Sequence, residues 1–280
     1  MTAAWAKYDL AAATPAEARL IAERVRSPWR KGGPQVASIR DDRIGDVRVR
    51  IYDPAPNAKK PTLVYLHGGG WVVFSIDTHD RLMREYAARA GVRVVGVDYA
   101  LAPEAKYPVA LEQVVSVIRD LGEVMVGGDS AGGNLALASA LRLRDAGENL
   151  VRGILLNYAV LDRDSSSVAR ATLGAAGNML TADEMDEYWG KYLDDATRAA
   201  EPYASPLRAD LRGLPRTLLI VPKFDLLAEQ SIALADKMRA AGGDVRLKIY
   251  PAIHSFLEAM SISSLAREAL DDSARWLRGE

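Results

Sequence analysis

EVMVGGDSAGGNLALASALRLRDAG, residues 123–147, decides the fold. Its first part, 123–128, is a short apolar run ending in glycine, and 131–147 reads as a helix closed by Gly147. Between them Ser130 stands in a G-x-S-x-G pattern with Gly128 and Gly132 on either side. Strand, sharp turn and helix in that order predict a serine held clear of the backbone, with the first helix amides aimed at whatever it attacks. The bare pattern recurs by chance, so the strand–turn–helix setting carries the reading.

Around this junction strand-like and helix-like segments alternate. PTLVYLH (61–67) and VRVVGVD (92–98) are near-continuous apolar runs, as expected of parallel strands buried on both faces. DVRVRIYDP (46–54) alternates apolar and charged residues and reads as a half-exposed edge strand. Further strands are expected at 152–157, 216–222 and 244–250, and helices at 79–90, near 108–121, near 226–241 and at about 262–278. The class is α/β, a mostly parallel, doubly wound sheet with right-handed crossovers.

Two stretches break the alternation. Residues 1–34 contain a capping box, Thr14 with Glu17, that opens a helix running to about Val25. Residues 161–207 contain a second box, Thr181 with Glu184, followed by Met185, Tyr188, Trp189 and Tyr192 at helical spacing. An insertion of that size between core strands is usually functional. The two stretches are read together as a cap over a core formed by 35–160 and 208–280. Most of the aromatic stripe is expected to be the cap's inner packing face, and Trp5, Trp29, Met179, Met185 and Trp189 are the candidate pocket walls.

Composition narrows the chemistry. The formal net charge of -1 gives no reason to expect nucleic acid or an anionic membrane as partner, and with no cysteine there is no disulfide, thiolate nucleophile or cysteine-bound metal. No signal-peptide pattern opens the chain and no apolar run is long enough to span a bilayer, so a soluble cytoplasmic protein is expected. Three scattered histidines offer no paired metal-ligand spacing, and the glycine-rich loops lack a phosphate-binding pattern. Neither a metal nor another cofactor is expected.

A serine hydroxyl needs a base to take its proton, and the base needs an orienting acid. His254 follows the last core strand and Asp225 follows the strand 216–222, so with Ser130 all three lie at the carboxyl ends of strands. Their chain order is Ser, Asp, His, the order of a nucleophile-elbow hydrolase. Taken alone, Asp225 would more often cap the helix after it. The oxyanion needs donors as well, and His67-Gly68-Gly69-Gly70-Trp71 supplies amides free of side chains, with Ala131 adding one from the helix N-terminus. His67 is expected to hold that loop and His79 to be structural.

HGGGW (67–71), DYALAPE (98–104), GDSAGGN (128–134), SPLRADLRGLP (205–215) and the Asp225 and His254 segments occur here in one order. In that order they resemble the hormone-sensitive-lipase-like esterases, bacterial acetyl esterases and carboxylesterases among them. The resemblance covers the chain from about residue 40 onward. It implies the α/β-hydrolase fold, with an eight-stranded sheet and a helical cap, and Ser130, Asp225 and His254 as the catalytic triad. It further implies Gly69, Gly70 and Ala131 as the oxyanion hole, hydrolysis of short-chain acyl esters without a cofactor, and a possible homodimer. The chain departs from the family pattern at Ala100, at Lys223-Phe224-Asp225-Leu226-Leu227, and at Ser255, where glycine is common. Amide, lactone and carbamate hydrolysis use the same machinery and stay open at this point. A non-catalytic ligand-binding protein on the same scaffold would be favoured by loss of the serine or the histidine, and both are present.

Overall fold

Eight strands form one sheet in the order β1-β2-β4-β3-β5-β6-β7-β8 in a computed structural model that describes residues 13–55 and 60–280. They are β1 (Ser38–Ile44), β2 (Val47–Asp53), β3 (Thr62–Leu66), β4 (Arg93–Asp98), β5 (Val124–Asp129), β6 (Val151–Asn157), β7 (Thr217–Phe224) and β8 (Val245–Ile253). β2 is antiparallel to both neighbours and every other pairing outside β1 is parallel.

The helices are α1 (Pro15–Arg30), α2 (Asp80–Ala90), α3 (Val109–Leu121), α4 (Ala131–Asp145), α5 (Ser167–Thr172), α6 (Ala182–Tyr192), α7 (Ala228–Ala240) and α8 (Ser264–Arg278). The period-2 geometry of the strands feeds two cores, one on each face of the sheet. Along β3, Val64 and Leu66 pack with α3, α4 and α7, while Leu63 and Tyr65 pack with α2 and α8.

The strand expected at the edge, 46–54, is the second strand. The true edge is β1, whose sequence SIRDDRI has no apolar alternation to read. It is held by its ladder to β2 and by Asp41, which lies 2.6 Å from both Arg48 and Arg50. Charge on an outer strand also discourages pairing with another chain. β8 runs three residues beyond the expected 244–250 and so delivers His254 directly from the strand end.

Both expected capping boxes form, at Thr14/Glu17 and Thr181/Glu184. α1 continues past Val25 to Arg30 despite Pro28. Arg19 on α1 donates to the carbonyls of Val72 and Ala102, each at 2.9 Å, and this fixes the helix to the loop after β3. α6 meets the same loop from the other side: the Trp71 ring stacks on Tyr192 at 4.1 Å and lies 4.8 Å from Trp189. The two stretches outside the alternation therefore pack on one loop, beside the carboxyl ends of the strands.

No helix among the described residues is long and apolar enough to cross a membrane.

Candidate active site

Ser130 has φ 53° and ψ -119°, outside the regions an L-residue normally occupies. Such a conformation costs on the order of 1–3 kcal/mol and persists only where surrounding structure enforces it. Here β6, the residues after it and α4 enforce it, because the Ser130 amide donates to Asn157 O and the Ser130 carbonyl accepts from the Asn134 and Val160 amides. The flanking glycines have a steric reason. A Cβ on Gly132 would lie 2.0 Å from Leu66 O, and one on Gly128 would lie 2.4 Å from Gly132 C. Glycine lets α4 press directly onto β3.

Five non-glycine residues among those described have positive φ: Trp71, Phe74, Ser130, Tyr158 and Ser255. Each follows a strand, after β3, β5, β6 or β8; Phe74, Ser130 and Ser255 line one cavity, Tyr158 packs on His254, and Trp71 follows Gly70 directly in the chain. Strained backbone gathered this way marks a place where geometry is held against local preference. Ser255, at φ 59°, also explains why its position favours glycine in the resembling sequences.

The three expected catalytic residues meet. His254 Nε2 lies 3.1 Å from Ser130 Oγ, and His254 Nδ1 lies 2.7 Å from Asp225 Oδ2. Asp225 does not cap α7, whose N-cap is Leu227; its other oxygen, Oδ1, accepts from the Leu227 amide at 3.0 Å in the turn just before the helix. That second bond locks the carboxylate, so the imidazole has one tautomer open to it, with the proton on Nδ1 and Nε2 facing Ser130. The Tyr158 ring packs edge-on against His254 with centroids 5.0 Å apart.

Gly69, with φ 117°, and Gly70 begin the turn after β3. Among the described residues no hydrogen bond occupies the amides of Gly69, Gly70 or Ala131, so these donors are free for a ligand. The loop is braced from beneath: Gly68 N donates to Asp129 Oδ1 at 3.2 Å and Tyr99 Oη donates to His67 O at 2.7 Å. His67 Nδ1 donates to Gly68 O at 2.7 Å, which is the holding role expected of it. Tyr188 of α6 lies over Gly70 so closely that a Cβ there would be 2.3 Å from its ring.

Beneath the loop is a feature the sequence did not reveal, a buried cluster of Arg26, His79, Asp129 and Glu258. Arg26 lies 3.0 Å from Glu258, and His79 Nε2 lies 3.3 Å from Asp129 and 3.4 Å from Glu258. It joins α1, the start of α2, the residue before Ser130 and the 3-10 turn after His254. Asp129 sits inside the GDSAG motif, which was the available signal. Arg26 and Glu258 carry no motif of their own. His79, Asp129 and Glu258 could together ligate a cation, but the Arg26 guanidinium is among them, 3.4 Å from His79 Nε2. A protein cation fills the place a metal would take.

Burial alone would raise the Asp129 pKa, but His79, Arg26 and the Tyr65 hydroxyl together lower it. Burial likewise works against protonated His79, and the carboxylates of Asp129 and Glu258 outweigh it and raise its pKa. His67 differs, because burial and the neighbouring His79 push it down to about 3. Folded protein thus keeps His67 neutral while the unfolded chain protonates it below 6.5, so stability falls as the pH drops from 6.5 toward 3. The His79 contribution is complete below 6.5 and is lost as the pH rises through its higher folded value. Urea unfolding is therefore expected to show greatest stability at about pH 6.5. His67→Asn, which keeps a donor for Gly68 O, is expected to flatten the acid side between about pH 6.5 and 4.5. An unchanged acid slope in that variant would rule His67 out as its cause.

A cavity of about 300 Å³ opens on Ser130, His254, Gly69 and Gly70, walled by Phe74, Tyr188 and Met179. A second, of about 510 Å³, lies beyond His254 and includes Trp29, Met179 and Phe224. Of the candidate walls, Trp29 and Met179 reach these cavities. Met185 and Trp189 are buried in the core and share a helix face with Tyr192 toward Trp71, while Tyr188, at the border of that face, packs on the same core and also lines the first cavity. Trp5 lies outside the described residues.

A family model described as alpha/beta hydrolase fold matches residues 63–258. The acetyl esterase of Salmonella typhi is 37% identical over 247 residues, covering 83% of this chain and 76% of that protein. A hyperthermophilic esterase from the archaeon Pyrobaculum calidifontis superposes with a TM-score of 0.94 at 31% identity, over 99% of this chain and 95% of that one. A thermostable carboxylesterase cloned from a metagenomic library gives 0.91 at 32% identity, over 96% of this chain and 98% of that one. With the eight-stranded sheet, the family match over most of the chain and these relatives, the chain belongs to the α/β-hydrolase fold family, among its hormone-sensitive-lipase-like esterases.

Proposed function

We propose that this protein is a serine carboxylesterase that hydrolyses short-chain acyl esters through an acyl-enzyme on Ser130. The observation that carries the reading is the Asp225–His254–Ser130 relay, with contacts of 2.7 and 3.1 Å, at the floor of a cavity edged by Gly69 and Gly70.

Ser130 Oγ attacks the ester carbonyl carbon while His254 Nε2 takes its proton. The carbonyl oxygen becomes an oxyanion, and the free amides of Gly69, Gly70 and Ala131 receive it. Each such donor is worth on the order of 100- to 1000-fold in rate. Asp225 holds the imidazole and balances the positive charge it gains. His254 then gives the proton to the departing alkoxide, the alcohol leaves, and water attacks the acyl-enzyme through the same base. Because Ser130 is held in its strained turn before substrate arrives, no reorganisation is needed at the moment of reaction.

Hydrolysis of p-nitrophenyl esters from acetate to decanoate tests this. The highest kcat/KM is expected at the shortest chains. A folded protein that turns over none of them, or that prefers decanoate, would sink the proposal.

A further inference from the structure

The two cavities differ in what they can hold. The first, about 300 Å³, contains Ser130 and the glycine loop, and its walls include Arg26, Asp129 and Glu184. Tyr188 closes its roof against Gly70. An extended alkyl chain there would lie against charged groups, at a cost in their solvation. The second, about 510 Å³, is bounded by Trp29, Met179, Phe224, Ile253, Phe256 and Leu265, and among the described residues no aspartate, glutamate, lysine or arginine lines it. Phe224 and Ile253, which line it, are each about half exposed.

The cavities share Gly177, Met179, His254 and Ser255, whereas Ser130 lines only the first. This division has a chemical consequence. In an acyl transfer the acyl carbon bonds to Ser130 and its oxygen points at the glycine loop, so the acyl group stays in the first cavity. The leaving oxygen must accept the proton from His254 Nε2, so the alcohol is the part of the ester that lies against His254. From there the space that opens past Met179 is the larger, apolar cavity. Volumes in this range suit ligands that are mostly buried and mostly apolar.

Resting on the esterase reading above, we infer that the substrates are esters of a small acyl group with a bulky apolar alcohol. The alcohol occupies the cavity beside Trp29 and Phe224. Met179 stands between the two cavities and separates the halves of the ester. Trp29 comes from α1, so the N-terminal helix contributes to alcohol selection although it carries no catalytic group.

Hexyl acetate and ethyl hexanoate test this directly, because they are isomers that differ only in which side of the ester carries the long chain. The wild type is expected to show kcat/KM at least tenfold higher for hexyl acetate, given that each buried methylene is worth about fourfold. Trp29→Ala is expected to lower kcat/KM for cyclohexylmethyl acetate at least tenfold more than for ethyl acetate. Phe224→Ala, at a half-exposed position where folding is not at risk, is expected to act in the same direction. Ethyl hexanoate matching or outrunning hexyl acetate would overturn the assignment, as would variants that slow all acetates equally. If the esterase reading itself were wrong, neither isomer would be hydrolysed by folded wild-type protein, a result distinct from either of these.

Discussion

Ser130→Ala is expected to lower kcat by about a million-fold, the loss typical when a serine triad loses its nucleophile. Its unfolding free energy should stay close to wild type, because alanine at φ 53° carries the same backbone strain as serine. Ser130→Gly should be equally inactive yet more stable by roughly 1 kcal/mol, since glycine occupies that region without a steric cost. Paired urea unfolding and ester assays read both quantities. A Gly variant less stable than the Ala variant would show that the turn is not strained. Retention of more than about a thousandth of the activity by Ser130→Ala would remove Ser130 as nucleophile.

Arg26→Met is expected to destabilise the fold by about 3–5 kcal/mol, because it leaves Asp129 and Glu258 buried with only His79 between them. Methionine keeps much of the volume, so the loss reports charge rather than a cavity. The double change Arg26→Met with Glu258→Met should recover most of it, since an apolar pair of similar volume often replaces a buried ion pair at little cost. A single variant within about 1 kcal/mol of wild type would mean that the cluster is not tightly coupled. Activity should track stability here, because Asp129 also holds the Gly68 amide at the base of the glycine loop.

Much of the architecture was legible in the sequence. The interior strands could be read because parallel strands buried on both faces are apolar throughout, as 61–67 and 92–98 are. β1 could not be read, since it is fixed by pairing and ion pairs rather than by burial. Helix ends were legible where side-chain chemistry is local, as at Thr14 with Glu17 and Thr181 with Glu184. The same locality explains Asp225, whose placement just before a helix suggested a cap while its chain order suggested a partner for His254. In the structure one of its oxygens meets His254 and the other holds the Leu227 amide in the turn before α7, whose cap is Leu227 itself.

The sequence by itself determined the fold and which residues are proposed to carry the chemistry, because turn residues, strand periodicity and the order of Ser130, Asp225 and His254 are properties of short segments. Tertiary structure alone decided the rest: that Tyr188 lines the cavity while Trp189 is buried in the core, that Met179 lines both cavities, and that Arg26 meets Glu258 beneath the glycine loop. Those facts depend on how α1, α6 and the turn after β8 are seated against one another. That seating is set by packing between segments far apart in the chain, and no local pattern of residues encodes such a contact.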